Sequence, residues 1–303
     1  MMQYSALGKT GLTVSKLGLG GAPIGGDFGV VSDQQAIEVI HSAIDLGINF
    51  FDTAPLYGRG ESERRYGIAL KGKREQVVLA TKAVMRGDPY TYENTINSVE
   101  SSLRRLQTDY IDLIQLHEAE HVPFEDAMNG TIAAFLKLKE QGKVRAIGVN
   151  AGRLELLFPF IKTGKIDTVQ TFSKYTLLDH TAKDTLFPLA KEMGVGVING
   201  SPLGMGVLTD KPAPFLQNNK KLLMEAEKRK EKLTFLRKQG PNGLIEPAMR
   251  FSLTCPDIAV TLTGTVSLRS LKLNASYCDG IGLSAEEMHK VFELFNNKPL
   301  FTY

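Results

Sequence analysis

Short apolar runs alternate with segments of helical spacing along the whole chain. The runs are centred near residues 17, 48, 77, 111, 144, 166, 195 and 258, and each of the intervals between them holds a helical segment. Strands separated by helices of this length form right-handed βαβ units and a parallel sheet. Eight such units in roughly 250 residues predict a closed (β/α)8 barrel of the TIM type. A doubly wound open sheet is the competing architecture, and the evenness of the repeat favours the barrel.

Two further segments flank the repeat. Residues 3–15 alternate in polarity around a glycine-bounded turn and predict a small β-hairpin that covers one end of the fold. Residues 267–277 and 284–295 have helical spacing and predict two helices that close the chain. Because no linker rich in glycine, proline or serine interrupts the sequence, we expect a single domain over residues 1–303.

The composition argues against several classes of function. The chain has 36 basic and 33 acidic residues and a net charge of +3, so no surface for nucleic acid is implied. Its two cysteines, Cys255 and Cys278, lack metal-ligand spacing, and we expect neither a metal nor a disulfide framework. The start does not resemble a signal peptide, and no run of about 18 apolar residues predicts a membrane span. We therefore expect a cytoplasmic protein without a membrane partner.

Ionisable residues stand where three successive strands are predicted to end: Asp52, Lys82 and His117. Tyr57 follows the first of them on a short loop. The carboxyl ends of the strands in a parallel barrel converge on one face, so we expect the four side chains to meet there. Each residue alone has an ordinary explanation, as a helix cap, a surface charge or a satisfied polar group. Their occurrence on adjacent strands indicates a catalytic site instead.

These groups suit the transfer of one proton to or from an oxygen atom. A tyrosine with a pKa of about 10 is a poor base, and an ammonium within about 4–6 Å lowers that pKa. We expect Lys82 to supply the ammonium, Asp52 to hold Lys82, and His117 to bind a substrate oxygen. No nucleophile has an adjacent base, so the set indicates proton transfer coupled to hydride transfer with a cofactor. Two other hypotheses are a Schiff-base aldolase that uses Lys82 and a non-catalytic barrel that senses a nucleotide.

The cofactor has to bind at the same face of the barrel. Residues 18–23 superficially resemble a dinucleotide fingerprint, but the third glycine is missing and no helix is predicted before about residue 33. The segment 201–204 after the seventh strand is a better candidate, as is the pair Gly264 and Thr265 after the eighth. Loops at these places in barrels commonly bind phosphate through exposed backbone N–H groups.

Several motifs occur in a fixed order: FFDTAPLYG at 50–58, ATK at 80–82, LRRL at 103–106, DYID at 109–112, LH at 116–117, GKVRAIGV at 142–149 and SPL at 201–203. Over essentially its whole length the chain resembles the aldo-keto reductases. The resemblance implies Tyr57 as general acid/base, Lys82 and Asp52 as tuners of its pKa, and His117 as the residue that orients substrate. It also implies an extended NAD or NADP cofactor, whose predicted contacts are Gly20, Gly21, Asp52, Asn150, Gln170, Ser201, Leu203, Gly264, Thr265, Arg269 and Asn274.

Two departures from the family pattern bear on the cofactor. The family often stacks an aromatic residue on the nicotinamide just before the Ser-Pro-Leu segment, where this chain has Gly200. It also often has an arginine for the 2′-phosphate four residues before the asparagine that matches Asn274, and that residue here is Ser270. Arg269 is one position away and would point elsewhere on a helix. The lack of a two-pronged phosphate partner at position 270 predicts NAD in preference to NADP.

Residues 4–12, 21–29 and 197–206 look most like those of the sugar dehydrogenases of the family, which include the L-galactose and L-fucose (D-threo-aldose) enzymes. This resemblance implies that the protein oxidises an aldose at C1 to its lactone. The alternative is a general NADPH-dependent reductase of aldehydes and ketones. The sequence predicts neither the individual substrate nor the oligomeric state.

Overall fold

The computed structural model describes residues 1–295 and 298–302. The strands of this part of the chain are β1 Tyr4–Ala6, β2 Thr13–Ser15, β3 Leu17–Gly20, β4 Phe50–Asp52, β5 Val78–Ala83, β6 Ile111–Leu116, β7 Val144–Asn150, β8 Thr168–Phe172, β9 Gly196–Gly200 and β10 Val260–Thr263. The α-helices are α1 Ala22–Gly25, α2 Asp33–Asp45, α3 Glu61–Ala69, α4 Tyr92–Leu106, α5 Phe124–Ala127, α6 Ala133–Glu140, α7 Leu157–Lys162, α8 Leu186–Glu192, α9 Lys220–Glu231, α10 Ile245–Leu253, α11 Leu268–Ser276 and α12 Ala285–Phe295.

Strands β3 to β10 pair in parallel in chain order, and β10 pairs back with β3, so that Thr261 lies opposite Leu17. This pairing closes the sheet and confirms the predicted (β/α)8 barrel over the open-sheet alternative. Helices such as α4 pack on the outside of the barrel through one apolar face, which includes Val99, Leu103 and Leu106. The predicted C-terminal helices are α11 and α12.

The hairpin of β1 and β2 closes the amino end of the barrel. Tyr4 pairs with Ser15 in antiparallel register, and the turn side chains Leu7 and Leu12 are buried. They share one apolar cluster with Phe50 and Val260, which are the first residues of β4 and β10. The hairpin therefore fills the barrel where the strands begin, as the sequence predicted.

Side chains alternate between the interior and the outside along each barrel strand. Ala80 of β5 and Leu113 of β6 belong to the interior apolar cluster. Lys82 and Gln115 lie two residues further along the same strands, and they pair directly across the sheet. Because of this alternation, both polar side chains point into the barrel. They lie nearer the carboxyl end of the barrel than Ala80 and Leu113 do, so the interior changes from apolar to polar toward that end.

One local expectation was wrong. No helix was predicted before about residue 33, but α1 forms a single turn at Ala22–Gly25. Pro23 lies in its first turn, where a missing N–H costs no hydrogen bond. Gly26 ends it in the left-handed conformation with a φ of 92°. This turn lies directly after β3 and packs against the segment that carries Tyr57.

Candidate active site

The loop that carries Tyr57 is fixed against α1. The Gly58 N–H donates to Asp27 Oδ1 at 3.0 Å. Gly58 has a φ of 58°, and a Cβ at this position would lie 2.2 Å from the Gly25 carbonyl oxygen. Only glycine allows this close approach in this conformation. The close contact between the Gly58 and Gly25 backbones thus fixes the position of the half-buried Tyr57 ring on one side.

A buried hydrogen-bond chain holds the other side of the loop. Thr53 Oγ1 donates to Ser62 Oγ at 2.7 Å, and Ser62 Oγ donates to the Gly21 carbonyl at 2.8 Å. The Gly21 N–H in turn donates to the Asp52 carbonyl at 2.7 Å. Three segments, after β3, after β4 and in α3, are therefore tied together beneath Tyr57.

Lys82 and Asp52 form a buried ion pair inside the barrel. Lys82 Nζ donates to Asp52 Oδ2 at 2.7 Å and to the Thr53 carbonyl at 2.8 Å. Gln115 Nε2 donates to the other carboxylate oxygen, Oδ1, at 3.1 Å. The Lys82 ammonium also lies 4.9 Å from the centroid of the Tyr57 ring. The structure therefore brings together the predicted tyrosine, lysine and aspartate.

The charges in this cluster depend on one another. Burial alone would lower the pKa of the Lys82 ammonium, but the neighbouring Asp52 carboxylate and Tyr57 raise it above its usual value. For Tyr57, burial is the largest influence and raises the pKa of the phenol above 10.0, while Lys82 acts in the opposite direction. In the protein alone the pKa of Tyr57 therefore stays above its ordinary value. The ammonium acts in the predicted direction but does not outweigh burial.

His117 follows β6 and faces Tyr57. The two rings meet edge to face with centroids 5.8 Å apart, and His117 is only 4% exposed. Burial and the nearby Lys82 ammonium hold the pKa of the imidazole well below 6.5. His117 is thus neutral at physiological pH and can donate or accept one hydrogen bond beside the phenol.

Two buried amides lie opposite each other on neighbouring strands. Asn150 ends β7, and its Oδ1 accepts from the Glu118 N–H at 3.2 Å. Gln170 in β8 has an amide oxygen, Oε1, that is buried and has no hydrogen-bond partner among the described residues. Such an orphaned acceptor fits the amide N–H of a nicotinamide carboxamide. These residues therefore fit the cofactor that the sequence predicts.

Four more of the predicted cofactor residues lie on loops at the same end of the barrel. Ser201 and Leu203 follow β9, and Gly264 and Thr265 follow β10. Thr265 Oγ1 accepts from the N–H of Ser267 at 3.0 Å, and Ser267 caps α11. The exposed N-terminus of α11, together with its cap, can receive an anionic group.

Four other predicted residues differ in their surroundings. Asn274 is buried on the inner side of α11, and its amide donates to Thr263 Oγ1 at 2.7 Å. Arg269 is exposed and shares the outer face of α11 with Lys272. Gly20 ends β3 with no atom within 3.4 Å of its missing Cβ, whereas Gly21 is enclosed by Ser62 and Asp52.

A family model for the aldo/keto reductases matches residues 16–295. This chain belongs to the aldo/keto reductase family. Members of the family are oxidoreductases that act on carbonyl and alcohol groups with NAD(P)H. Within the described residues, 1–295 and 298–302, no helix is long and apolar enough to cross a membrane. No group of three or more potential metal ligands occurs in the same residues.

Known members of the aldo/keto reductase family resemble this chain along most of its length. The L-galactose dehydrogenase of Arabidopsis thaliana is 33% identical over 96% of this chain and 93% of its own length. The NADH-specific methylglyoxal reductase of Escherichia coli is 36% identical over 69% of each chain. The structure of an aldo-keto reductase from Bacillus halodurans in its holo form superposes with a TM-score of 0.81 at 31% identity, covering 97% and 96% of the chains. The similarity to an L-galactose dehydrogenase agrees with the predicted likeness to the sugar dehydrogenases.

Gln115 is the polar residue that the sequence reasoning missed in this aldo/keto reductase. It hydrogen-bonds Asp52 directly, although from the sequence it is only one residue of a predicted apolar strand. Its position two residues before His117 contains the signal that could have found it. Alternation along a strand puts both residues on the same face.

Proposed function

We propose that this aldo/keto reductase is an aldose dehydrogenase that oxidises C1 of a sugar to its lactone with NAD. The observation that carries the proposal is the Lys82 ammonium held between Asp52 and the Tyr57 ring, 2.7 Å from the carboxylate and 4.9 Å from the ring centroid. The similarity to an L-galactose dehydrogenase over nearly the full chain supports an aldose as the substrate. We further infer that residues 1–303 act as one domain, since one core cluster extends from Leu17 to Phe301.

In the proposed reaction Tyr57 exchanges a proton with the substrate. In the oxidative direction its phenolate accepts the proton of the C1 hydroxyl as the C1 hydrogen leaves as hydride. The nicotinamide cofactor supplies the hydride acceptor for this step. Lys82 stabilises the phenolate by its charge, and Asp52 keeps Lys82 protonated. In the reductive direction the same phenol donates its proton to a carbonyl oxygen.

His117 orients the substrate oxygen in this proposal. A neutral imidazole beside the phenol can donate a hydrogen bond to the oxygen that gains or loses the proton. Burial and the Lys82 charge keep His117 from taking up a proton of its own. We infer that Tyr57 and His117 together define the position of the reacting oxygen, because their rings meet edge to face.

The cofactor would lie across the carboxyl end of the barrel. We infer that Asn150 and Gln170 hold the carboxamide, and that Ser201, Leu203, Gly264, Thr265 and Asn274 hold the pyrophosphate and adenosine. Ser270, rather than an arginine, occupies the first turn of α11, and the exposed Arg269 faces away from buried Asn274. The absence of a fork-shaped phosphate partner at position 270 favours NAD.

A panel of free aldoses tests this function. The purified protein is mixed with NAD or NADP and with L-galactose, L-fucose and related sugars, and the absorbance of reduced nicotinamide is followed. We expect turnover with at least one sugar and preference for NAD. No turnover with any aldose, while the protein binds NAD, would overturn the substrate class.

Reduction of small carbonyl compounds is the second candidate, which the similarity to a methylglyoxal reductase favours. It uses the same four residues in the opposite direction. A comparison of kcat/KM for methylglyoxal reduction with that for aldose oxidation separates the two. A higher value for the carbonyl compound, with NADH or NADPH, would assign the protein to reduction.

The aldolase hypothesis is disfavoured by the state of Lys82. A Schiff base requires a neutral amine, whereas the Asp52 carboxylate at 2.7 Å keeps this lysine charged. Treatment with borohydride and carbonyl compounds should leave Lys82 unlabelled in mass spectra. A labelled Lys82 would revive that hypothesis. A barrel that only senses a nucleotide would bind NAD without any turnover.

A further inference from the structure

Gln115 and Lys82 lie on neighbouring strands, and both donate hydrogen bonds to the carboxylate of Asp52. The two residues pair directly across β5 and β6, and both are fully buried. Lys82 Nζ donates to Asp52 Oδ2 at 2.7 Å, and Gln115 Nε2 donates to Asp52 Oδ1 at 3.1 Å. Each oxygen of Asp52 therefore has its own donor, and the rotation of the carboxylate is determined by both.

Only one end of the Gln115 amide is satisfied. The Gln115 Oε1 atom is buried and has no hydrogen-bond partner within residues 1–295 and 298–302. A buried polar atom without a partner costs free energy, and an apolar side chain of the same size would avoid that cost. The residue two positions earlier, Leu113, is such an apolar side chain. What the amide does gain is its bond to Asp52.

The neighbouring strand is shaped to admit this side chain. Gly148 of β7 pairs with Gln115 on one side and with Thr168 of β8 on the other. A Cβ at Gly148 would lie 3.1 Å from Gln115 Cγ and 2.3 Å from Thr168 Oγ1. The two side chains close over the glycine, so Gln115 has little room to move away from Asp52.

We propose that Gln115 is a positioning residue that fixes the rotation of the Asp52 carboxylate. In this orientation Asp52 Oδ2 remains hydrogen-bonded to Lys82 Nζ, and the ammonium remains beside the Tyr57 ring. This inference rests on the proposed function, because Gln115 acts through the proton-transfer groups and not on the substrate itself. It adds a fifth side chain to the four that the sequence singled out.

The direction of the effect on Tyr57 follows from the charges around it. Lys82, Asp52, His117 and Glu118 face Tyr57, and among the charged groups Lys82 has the strongest influence and lowers the pKa of the phenol. Asp52 raises it by a smaller amount.

Burial raises the pKa of the Asp52 carboxyl, and Lys82 and the amides of Gln115 and Gln170 oppose this by stabilising its charged form. The buried Tyr66 phenol also lies within its field. Without the amide the Asp52 carboxylate is free to rotate, and the Lys82 ammonium is held less firmly beside the Tyr57 ring. Since Lys82 has more influence on Tyr57 than Asp52 has, the pKa of Tyr57 then rises further.

The test replaces Gln115 with methionine, which has a similar length but no N–H. With NAD and the best aldose, Gln115→Met should lower kcat about tenfold at neutral pH and leave KM nearly unchanged. The rising limb of kcat against pH should move up by about one pH unit, because one unit of pKa corresponds to a tenfold change in the ionised fraction. A second readout needs no turnover: the carbon-13 resonance of the Tyr57 ring, assigned by its loss in Tyr57→Phe, should titrate at a higher pH.

Asn199→Leu is the matched control. Asn199 is a fully buried amide in the barrel wall, but its Nδ2 donates to the Tyr175 carbonyl at 3.0 Å and to Ser252 Oγ at 2.7 Å, away from Asp52. This variant should lose stability without a change in the pH profile. An unshifted profile and an unshifted tyrosine titration in Gln115→Met would overturn the proposal, as would an equal shift in Asn199→Leu.

Two further variants keep the result interpretable. If Gln115→Met does not fold, Gln115→Asn retains an amide that is one methylene too short to reach Asp52, and it should give the same upward shift. Tyr57→Phe separates this inference from the proposed function. Full turnover in Tyr57→Phe would overturn both, whereas an inactive Tyr57→Phe with a wild-type Gln115→Met would overturn the positioning role alone.

Discussion

Lys82 Nζ lies 2.7 Å from Asp52 Oδ2, and these side chains are only 0% and 2% exposed. Each charge is thus kept out of water and is compensated mainly by the other. A buried pair of this kind adds little net stability, but the removal of one partner is costly. Its value lies in the permanent ammonium that it keeps next to a phenol.

Removal of Lys82 alone should destabilise the protein. In Lys82→Met the Asp52 carboxylate is left buried without its cation, and we expect a loss of about 3–5 kcal/mol in the free energy of unfolding. Urea denaturation at neutral pH measures this value. The double variant Lys82→Met/Asp52→Leu removes both charges and should recover most of the loss, while it remains inactive.

A surface pair provides the control for that prediction. Lys137 and Glu140 on α6 form an ion pair at 3.1 Å with side chains 51% and 69% exposed. Lys137→Met should change stability by less than about 1 kcal/mol. If the double variant were as unstable as Lys82→Met, the cost would come from lost packing and not from an unpaired charge.

Tyr57→Phe should remove the exchangeable proton and keep the ring. We expect kcat to fall by about 100- to 10,000-fold, the range for loss of a general acid or base. The affinity for NADH, followed by its fluorescence, should stay within about twofold of the wild-type value. A fall in NADH affinity as large as the fall in kcat would mean that Tyr57 acts in binding rather than in proton transfer.

His117 should make the protein less stable in mild acid. Its folded-state pKa lies well below 6.5, so on acidification the unfolded chain takes up a proton before the folded protein does. The free energy of unfolding therefore falls as the pH drops below about 6.5 and levels off below the folded-state pKa. His117→Asn should show a shallower fall over this pH range in urea denaturation.

Burial also lowers the pKa of His180. Because His180 is present in the wild type and in His117→Asn alike, the difference between their slopes reports on His117 alone. His289→Asn on α12, where the side chain is 76% exposed, is the control and should retain the wild-type slope. An unchanged slope in His117→Asn would mean that the imidazole takes up its proton at the same pH in the folded and unfolded states, and would contradict the lowered pKa.

Ser270→Arg should increase the affinity for NADP. An arginine in the first turn of α11 can form paired hydrogen bonds with a phosphate, and we expect about a tenfold tighter complex with NADP and little change with NAD. Ser276→Arg at the other end of α11 adds the same charge and is the control. Equal gains in both variants would reflect general attraction of charge and would contradict the assigned place of the 2′-phosphate.

The sequence predicted the barrel and its main polar residues because both follow from periodicity. The β/α repeat predicts where strands end, and the strand ends of a parallel barrel meet, so the sequence alone predicts that Asp52, Lys82 and His117 lie together. The hairpin was also predicted, since residues 3–15 alternate around a turn. The short helix α1 was missed because a single turn leaves no periodic signal.

Properties that depend on burial could not be predicted from the periodicity of the sequence. The net direction of the Tyr57 pKa results from competition between burial and the Lys82 charge, and neither magnitude is contained in a motif. Gln115 was missed for a related reason, since an amide in an apolar strand has no meaning until its partner, Asp52, is located. Gly148 likewise acquires its role only from Gln115 and Thr168 across the sheet.

The hairpin of β1 and β2 determines from which end small molecules can reach the interior of the barrel. Because Leu7, Leu12 and Val14 fill the barrel where its strands begin, the hairpin leaves only the carboxyl end of the barrel uncovered among the described residues. A small molecule that reaches Tyr57 must therefore enter and leave through the carboxyl end of the barrel. A cofactor or loop that covers this end determines the order of binding and the rate of product release.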